Sequence, residues 1–411
     1  MIDPVVLVIG TADTKADEIL FMKQCIEDQG ASAMIMDVGV LGDPSFGVEI
    51  SKHMVAEAAR STNQGIIDLG DENLAMAKTA EGACELTRTL YEDGKIDAMI
   101  ALGGTMGTDL ALDVASVLPL GVPKVLVSTV AFSPLLPPER MAPDLMMILW
   151  AGGLYGLNSI CKSSLSQACG AAIGAARAVV KPQKERPVIG ITSLGKTSLK
   201  YMVHLKPELE KRGFEVAIFH TTGMGGRAME SLAAQSKLAC VMDFSLIEVS
   251  NHKNGSVVSA GADRLEAAGQ AGIPQIVAPG GGTLIDLQAW ADVGPEHQGR
   301  DFHAHNRLIA CVLMEPEEKR EVAKTIATKL AKAKGPVKFI MPLGGIDEWD
   351  KEGGPFNDPD GLAAFAEEIK NNIKLPVELI ELTAHINDKL FAEKALSILD
   401  QWIEDGILYV N

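Results

Sequence analysis

Val5-Val6-Leu7-Val8-Ile9-Gly10-Thr11-Ala12-Asp13-Thr14-Lys15 is an apolar run followed by a glycine, hydroxyls, an acid and a lysine. A short unbroken apolar run is the pattern of a strand buried on both faces, as in a parallel sheet covered by helices. The next stretch, Ala16–Asp28, sets Ile19, Met22 and Ile26 on one helical face. The order then repeats. Strands read at 33–36, within 95–102, at 124–128 and at 144–150, and a helix runs from the 103–108 turn to about 118. Strands alternating with helices in this way predict an α/β fold.

An alanine-rich helix at 171–180 leads into Lys181-Pro182-Gln183-Lys184-Glu185-Arg186-Pro187, a charged stretch flanked by prolines that reads as a domain boundary. Beyond it the pattern restarts, with strands at 188–192, 216–219, 238–242, 275–278, 337–341 and 378–382. Gly121-Val122-Pro123 and Gly272-Ile273-Pro274 each precede a strand, a faint internal echo. The expected architecture is α/β, with two Rossmann-like doubly wound domains, 1–183 and 184–411, and mainly parallel sheets. The length agrees, since 411 residues exceed the usual capacity of one core.

Composition narrows the function. A net charge of −17 without a long Lys/Arg cluster argues against nucleic acid as a partner. The apolar stretch 144–157 is broken by Gly152, Gly153 and Gly156, so no membrane span is expected. The six cysteines are scattered without a CxxC, which fits reduced thiols and a cytoplasmic protein. Met1-Ile2-Asp3-Pro4 carries no secretory pattern.

Ligands of open α/β sheets bind beyond the carboxyl ends of the strands. Gly10, Thr11, Asp13, Thr14 and Lys15 offer amides, hydroxyls and a cation at such an end. Gly103, Gly104, Thr105, Gly107 and Thr108 allow close backbone approach at a helix N-terminus, which attracts anions, with Thr105 or Thr108 as its cap. Ser128 and Thr129 follow a third strand. Asp37, with Gly39, ends another, where a carboxylate could bond a ribose hydroxyl. Together these loops predict a pocket for a phosphate-bearing ligand. Taken singly, each loop is equally an ordinary strand-to-helix corner, and Lys15 a solvated lysine.

In the second half Thr192, Gly280, Gly281, Gly345, Asn387 and Asp388 fall near strand ends and suggest a second pocket, facing the first across a cleft. His303 and His305 could bind metal with Asp301; the plainer alternative is polar residues at a domain interface. Gly190-Ile191-Thr192-Ser193-Leu194-Gly195-Lys196-Thr197 matches the P-loop pattern letter for letter. Its context is poor, because only Val188 and Ile189 precede Gly190, which places that glycine inside a strand. Asp243 would be the matching metal-binding acid.

The residues also carry a resemblance. Val8-Ile9-Gly10-Thr11-Ala12-Asp13-Thr14-Lys15, Met36-Asp37-Val38-Gly39 and Ala101-Leu102-Gly103-Gly104-Thr105-Met106-Gly107-Thr108 resemble the ATP-binding family named for the tomato mosaic virus resistance protein. Further matches run through the 259–268 stretch, Gly272-Ile273-Pro274-Gln275, His305-Asn306, Gly353-Gly354-Pro355-Phe356 and His385-Ile386-Asn387-Asp388. The resemblance implies two Rossmann-like domains, nucleotide binding and a homodimer. It does not extend to Lys196, to arginines near Gly344 and Glu315 that this chain lacks, or to the 280–286 run. Antiviral activity is not implied, since it belongs to particular plant alleles.

Three functions follow as expectations. The first is ATP with Mg²⁺ in the N-terminal domain, Asp13 or Asp109 orienting the metal, and the nucleotide used on an unknown small-molecule substrate. The second is an ATP-independent lyase or hydrolase acting on a phosphorylated metabolite. The third is a nucleotide-sensing protein-interaction module. The residues argue for a phosphate-bearing ligand; ATP is what the resemblance adds, and whether the protein is an enzyme stays open.

Overall fold

The computed structural model describes residues 3–150, 152–179 and 186–410. The chain forms two compact units, residues 1–182 and 183–411. Residues 181–185 of the boundary stretch lie outside the described residues.

Unit 1 runs β1 (Val5–Gly10), α1 (Ala16–Asp28), β2 (Ser32–Asp37), α2 (Lys52–Ala58), α3 (Asn63–Ile67), α4 (Glu72–Glu92), β3 (Ala98–Gly103), α5 (Thr105–Val117), β4 (Lys124–Ser128), β5 (Leu145–Leu149) and α6 (Ser159–Ala178). The strands form one parallel sheet in the order β2-β1-β3-β4-β5. Alternate residues of β1 serve opposite cores, which is why the whole run is apolar. Val6 and Val8 pack with Ile19, Met22 and Ile26 of α1 and Leu165 and Ile173 of α6. Leu7 and Ile9 pack with Val55 of α2, Ala80 and Ala83 of α4, and Leu110 and Val114 of α5. The chain leaves β1 toward β2 on one side and returns to β3 on the other. The carboxyl ends of β1 and β3 therefore flank a switch point, where open α/β sheets form their crevice.

Unit 2 runs β6 (Val188–Ser193), α7 (Gly195–Lys211), β7 (Glu215–His220), α8 (Met224–Ala234), β8 (Cys240–Ser245), α9 (Ile247–Lys253), α10 (Ala267–Gln270) and β9 (Gln275–Gly280). It continues through β10 (Leu284–Gln288), β11 (Phe302–Ala304), β12 (Ile309–Leu313), α11 (Pro316–Leu330), β13 (Val337–Pro342), α12 (Pro359–Asn372), β14 (Val377–Leu382) and α13 (Lys389–Glu404). Six parallel strands form its main sheet, β14-β13-β9-β8-β6-β7, with the switch point between β6 and β8. One face packs Ile189 and Ile191 against Tyr201, Leu205 and Leu209 of α7 and Phe391, Leu399 and Trp402 of α13.

Both units are thus α/β and doubly wound, and the first five parallel strands of each follow the same order. The two Gly-x-Pro turns precede β4 and β9, the fourth parallel strand of each unit, and Gly121 and Gly272 both have positive φ, 90° and 73°. Three features depart from the sequence reading. Helix α6 begins at Ser159, earlier than expected. Helices α2 to α4 fill the long β2–β3 connection; Gly82 inside α4 lets it close on α2, since a Cβ there would lie 1.9 Å from the Val55 carbonyl oxygen. A three-stranded antiparallel sheet, β10-β12-β11, is inserted between β9 and β13.

Candidate functional site

A cavity of about 440 Å³ opens at the carboxyl end of the unit 1 sheet. Thr11, Asp13 and Thr14 line it after β1, Gly39 after β2, and Met106 and Gly107 in the first turn of α5. Val38, Val40, Leu41, Ile67, Met76 and Leu110 supply an apolar wall, and Asp71 and Glu72 stand at the start of α4. Five expected site residues therefore line this cavity: Thr11, Asp13, Thr14, Gly39 and Gly107.

Several of the others shape the loops behind it. Thr105 and Thr108 do not cap α5; its N-cap is Gly104, with no side-chain bond to the first turn. Thr108 is fully buried, and its hydroxyl shares a 2.7 Å hydrogen bond with the Ser128 hydroxyl, which accepts from the Val130 amide at 3.0 Å. The pair ties α5 to the end of β4 and leaves the first-turn amides of α5 without a protein acceptor among the described residues. The Thr129 amide donates to the Gly103 carbonyl at 3.2 Å. Gly103 must be glycine, because a Cβ would lie 2.6 Å from the Gly107 Cα. Gly10 is similarly crowded, by Leu102 and Ile19.

Asp37 is enclosed, and no face of its carboxylate is open to a ribose. Its Oδ1 accepts from the Ala12 and Gly39 amides, each at 2.9 Å, and its Oδ2 is buried without a partner. It shapes the two loops it joins. Asp13 accepts from the Thr14 amide at 2.8 Å and the Gly42 amide at 3.2 Å, so its carboxylate fixes the β2 loop while still facing the cavity. Asp109 lies away from the cavity wall, in an ion pair with Arg140, which also binds Asp113. Lys15 rests over the Tyr155 ring, 5.8 Å from its centroid. The Thr11 and Thr14 hydroxyls share a 2.7 Å hydrogen bond.

In unit 2 the P-loop match dissolves. Gly190 lies within β6, and Leu194 alone separates β6 from α7, too little chain to wrap a phosphate. Thr197 donates its hydroxyl to Asp347 at 2.9 Å. Asp243 binds Thr192 at 2.8 Å and both terminal nitrogens of Arg264, at 2.5 and 2.9 Å. Arg264 is fully buried and also meets Glu230 and Glu248. Burial works against its charge, but Asp243, Glu248 and Glu230 outweigh it and hold the guanidinium protonated.

A smaller cavity, of about 160 Å³, lies at the carboxyl end of this sheet. None of Thr192, Gly280, Gly281, Gly345, Asn387 and Asp388 lines it. Two of them bond to neighbouring loop residues: the Gly281 amide, at φ 66°, donates to the Ile346 carbonyl, and Asn387 donates to Glu348, a lining residue, at 2.6 Å. The lining includes Lys196, His220, Asp286, His305, Cys311 and Asp347. His220, Asp286 and Cys311 escaped the sequence reading, since they come from separate strands with no local spacing to mark them. His303 meets Trp349 edge-on and His305 meets it tilted, with ring centroids 4.8 and 5.6 Å away. Among the described residues no group of three or more His, Cys, Asp and Glu side chains is placed to hold a metal ion. Also among them, no helix is long and apolar enough to cross a membrane.

Residues 4–181 match the N-terminal domain, and residues 186–403 the C-terminal domain, of an uncharacterised protein family, UPF0261. The chain belongs to that family. It is 56% identical to a UPF0261 protein of Brucella melitensis, over 98% of this chain and 97% of that one. It is 34% identical to a UPF0261 protein of Clostridium tetani, over 94% and 96% of the two chains. It is 28% identical to the ToMV resistance protein Tm-1 of Solanum lycopersicum, over 98% of this chain and 56% of that protein.

Proposed function

We propose that unit 1 binds ATP as its Mg²⁺ complex. The observation that carries this reading is the uncapped N-terminus of α5 opening, through Met106 and Gly107, on the cavity at the sheet's switch point. The phosphates lie against the free amides and the Thr11 and Thr14 hydroxyls. The base lies against Val38, Val40, Leu41, Met76 and Leu110. The helix terminus contributes only about 0.3–1 kcal/mol toward an anion. Burial of the base, at roughly 25 cal/mol per Å² of apolar surface, contributes more. Asp13, Asp71 and Glu72 on the same wall oppose a bare polyphosphate, so the metal complex is the favoured ligand. Mg²⁺ keeps most of its waters, and Asp13 reaches it through them.

The resemblance to the family of the tomato mosaic virus resistance protein, which implies nucleotide binding, supports the choice of ATP. It also supports a homodimer, which would cover exposed apolar side chains of this unit such as Phe132, Leu135 and Tyr155 in its loops and Ile160 in the first turn of α6. A cytoplasmic setting belongs to the same reading and fits six unpaired thiols.

Thermal unfolding of the whole protein tests it. At a hundredfold excess over Kd, a ligand of the native state adds about 2.7 kcal/mol. ATP or ADP with Mg²⁺ should raise the melting temperature, and no rise with either contradicts the reading. Release of ADP or AMP in the presence of a small-molecule substrate would make the protein an ATP-using enzyme; no release with any substrate would favour a sensor.

A further inference from the structure

Unit 2 treats its buried acids in two different ways. Asp243, Glu230 and Glu248 surround Arg264, and each forms an ion pair with it. Asp286 and Asp347, each 2% exposed on the floor of the 160 Å³ cavity, have no cation paired with them among the described residues. Each is held by neutral donors. Cys311 Sγ donates to Asp286 Oδ1 at 3.0 Å, and Asn251 Nδ2 to Asp286 Oδ2 at 2.9 Å. The Thr197 hydroxyl donates to Asp347 Oδ2 and the Trp349 amide to Asp347 Oδ1, both at 2.9 Å. Unpaired buried carboxylates are costly to stability, and a pair of them in one cavity points to use.

The basic groups stand on the rim instead. Lys196, His220 and His305 line the same cavity and are exposed. Glu348, the third acid of the lining, is already bound by Lys200 at 2.7 Å and Lys351 at 2.8 Å. Burial pushes the Asp347 carboxyl up to about 6, with the Asp350 charge adding, against the donors Trp349 and Thr197 and the His385 ring. Burial likewise raises Asp286, against Cys311, Asn251, His305 and His220. Burial and the Asp286 charge raise the Cys311 thiol, so it is a donor here and not a nucleophile. The cavity is smaller than the ~300–1,000 Å³ typical of drug-sized ligands and does not suit a nucleotide.

We propose that this cavity is a separate acid–base site for a small oxyanion metabolite, a carboxylate or a phosphate ester. Lys196, His220 and His305 receive the oxyanion. Asp286 and Asp347 exchange a proton with a hydroxyl or carbonyl oxygen of the same molecule. The step moves one proton between a carboxyl O–H and a ligand oxygen, so no electron donor or acceptor is required. The proposal goes beyond nucleotide binding in unit 1 and does not depend on it.

Trp349 lines the cavity and reports on it. The test titrates the whole protein, without nucleotide, with sulfate and with glycolate, following tryptophan fluorescence between about pH 5 and pH 8, where both probes keep a fixed charge. The groups facing Asp347 are Asp350 and Trp349 on its own loop, His385 before α13, Thr197 of α7 and Cys311 of β12. Across the cavity are Asp286, Lys196, His220 and His305. Protonated Asp347 offers a donor; ionised, it repels the anion. Binding of at least one probe should therefore be saturable, absent from the signal of Trp349→Phe, and weaker as pH rises through about 6. Lys196→Ala, an exposed change, should weaken it at least tenfold, and Asp347→Asn should reduce its pH dependence, the imidazoles of the lining retaining a part of it. Both variants should keep the far-UV circular dichroism and the ATP response of the wild type. A response to sulfate alone assigns a phosphate ester; a response to glycolate alone assigns a carboxylate. No saturable signal with either probe, or unchanged affinity at every pH in both variants, overturns the proposal.

Discussion

At the residue scale, Gly104 separates folding from binding. A Cβ at this position meets only the Thr129 hydroxyl, at 3.8 Å, so the backbone accepts a side chain. Aspartate is a good N-cap, and its charge suits a helix N-terminus. Gly104→Asp should therefore leave the melting temperature unchanged or raise it, while its carboxylate takes the amides meant for phosphate and weakens ATP binding at least a hundredfold. A fall in melting temperature would contradict the capping geometry. Arg264 is the opposite kind of residue: with no exposed surface and Asp243, Glu230 and Glu248 around it, it is structural. Arg264→Met leaves those carboxylates buried and unpaired and should cost about 3–5 kcal/mol in denaturant unfolding. A loss below about 1 kcal/mol would mean that the acids had been protonated or solvated. The sequence made the glycine and threonine loops of unit 1 legible because local turn chemistry is written in adjacent residues. It did not reveal which members face the ligand. Thr108 and Ser128 turned inward to each other, and Asp37 to the backbone of Ala12 and Gly39. Arg264 and its acids, like Asp286 with Cys311, meet only through tertiary folding.

At the element scale, the β3–α5 corner is set by how closely strand and helix approach. A Cβ on Gly103 would fall 2.6 Å from Gly107 Cα and 2.8 Å from its carbonyl carbon, contacts with backbone that no side-chain rotation relieves. Gly103→Ala should destabilise unit 1 by about 1–3 kcal/mol, whereas Gly104→Ala should be close to neutral. Equal losses in chemical denaturation of the two variants would contradict this account of the corner. The parallel strands were readable for a related reason: a strand buried on both faces is apolar throughout, as Val5–Gly10 is. The inserted sheet was not readable, since β11 has only three residues, Phe302–Ala304, too few to establish an alternation. The Gly-x-Pro echo marked equivalent strands of two like-wound units, though in sequence it was no more than two short words.

At the scale of the whole molecule, the net charge of −17 repels an incoming nucleotide complex before any loop engages it. Salt screens such repulsion, with a Debye length near 30 Å at about 0.01 M and near 8 Å at about 0.15 M. The association rate of ATP with Mg²⁺ should therefore rise with ionic strength over that range in stopped-flow measurements. A steep fall would mean that a local positive field, stronger than the described loops provide, guides the ligand. The measurement that bears most directly on the central claim is calorimetric titration of the full chain with ATP and Mg²⁺, run on the wild type, Gly104→Asp and Lys196→Ala. One nucleotide per chain is expected for the wild type and Lys196→Ala, with equal affinity, and binding at least a hundredfold weaker for a folded Gly104→Asp. Absence of binding to the wild type, or equal affinity in Gly104→Asp, would contradict the claim.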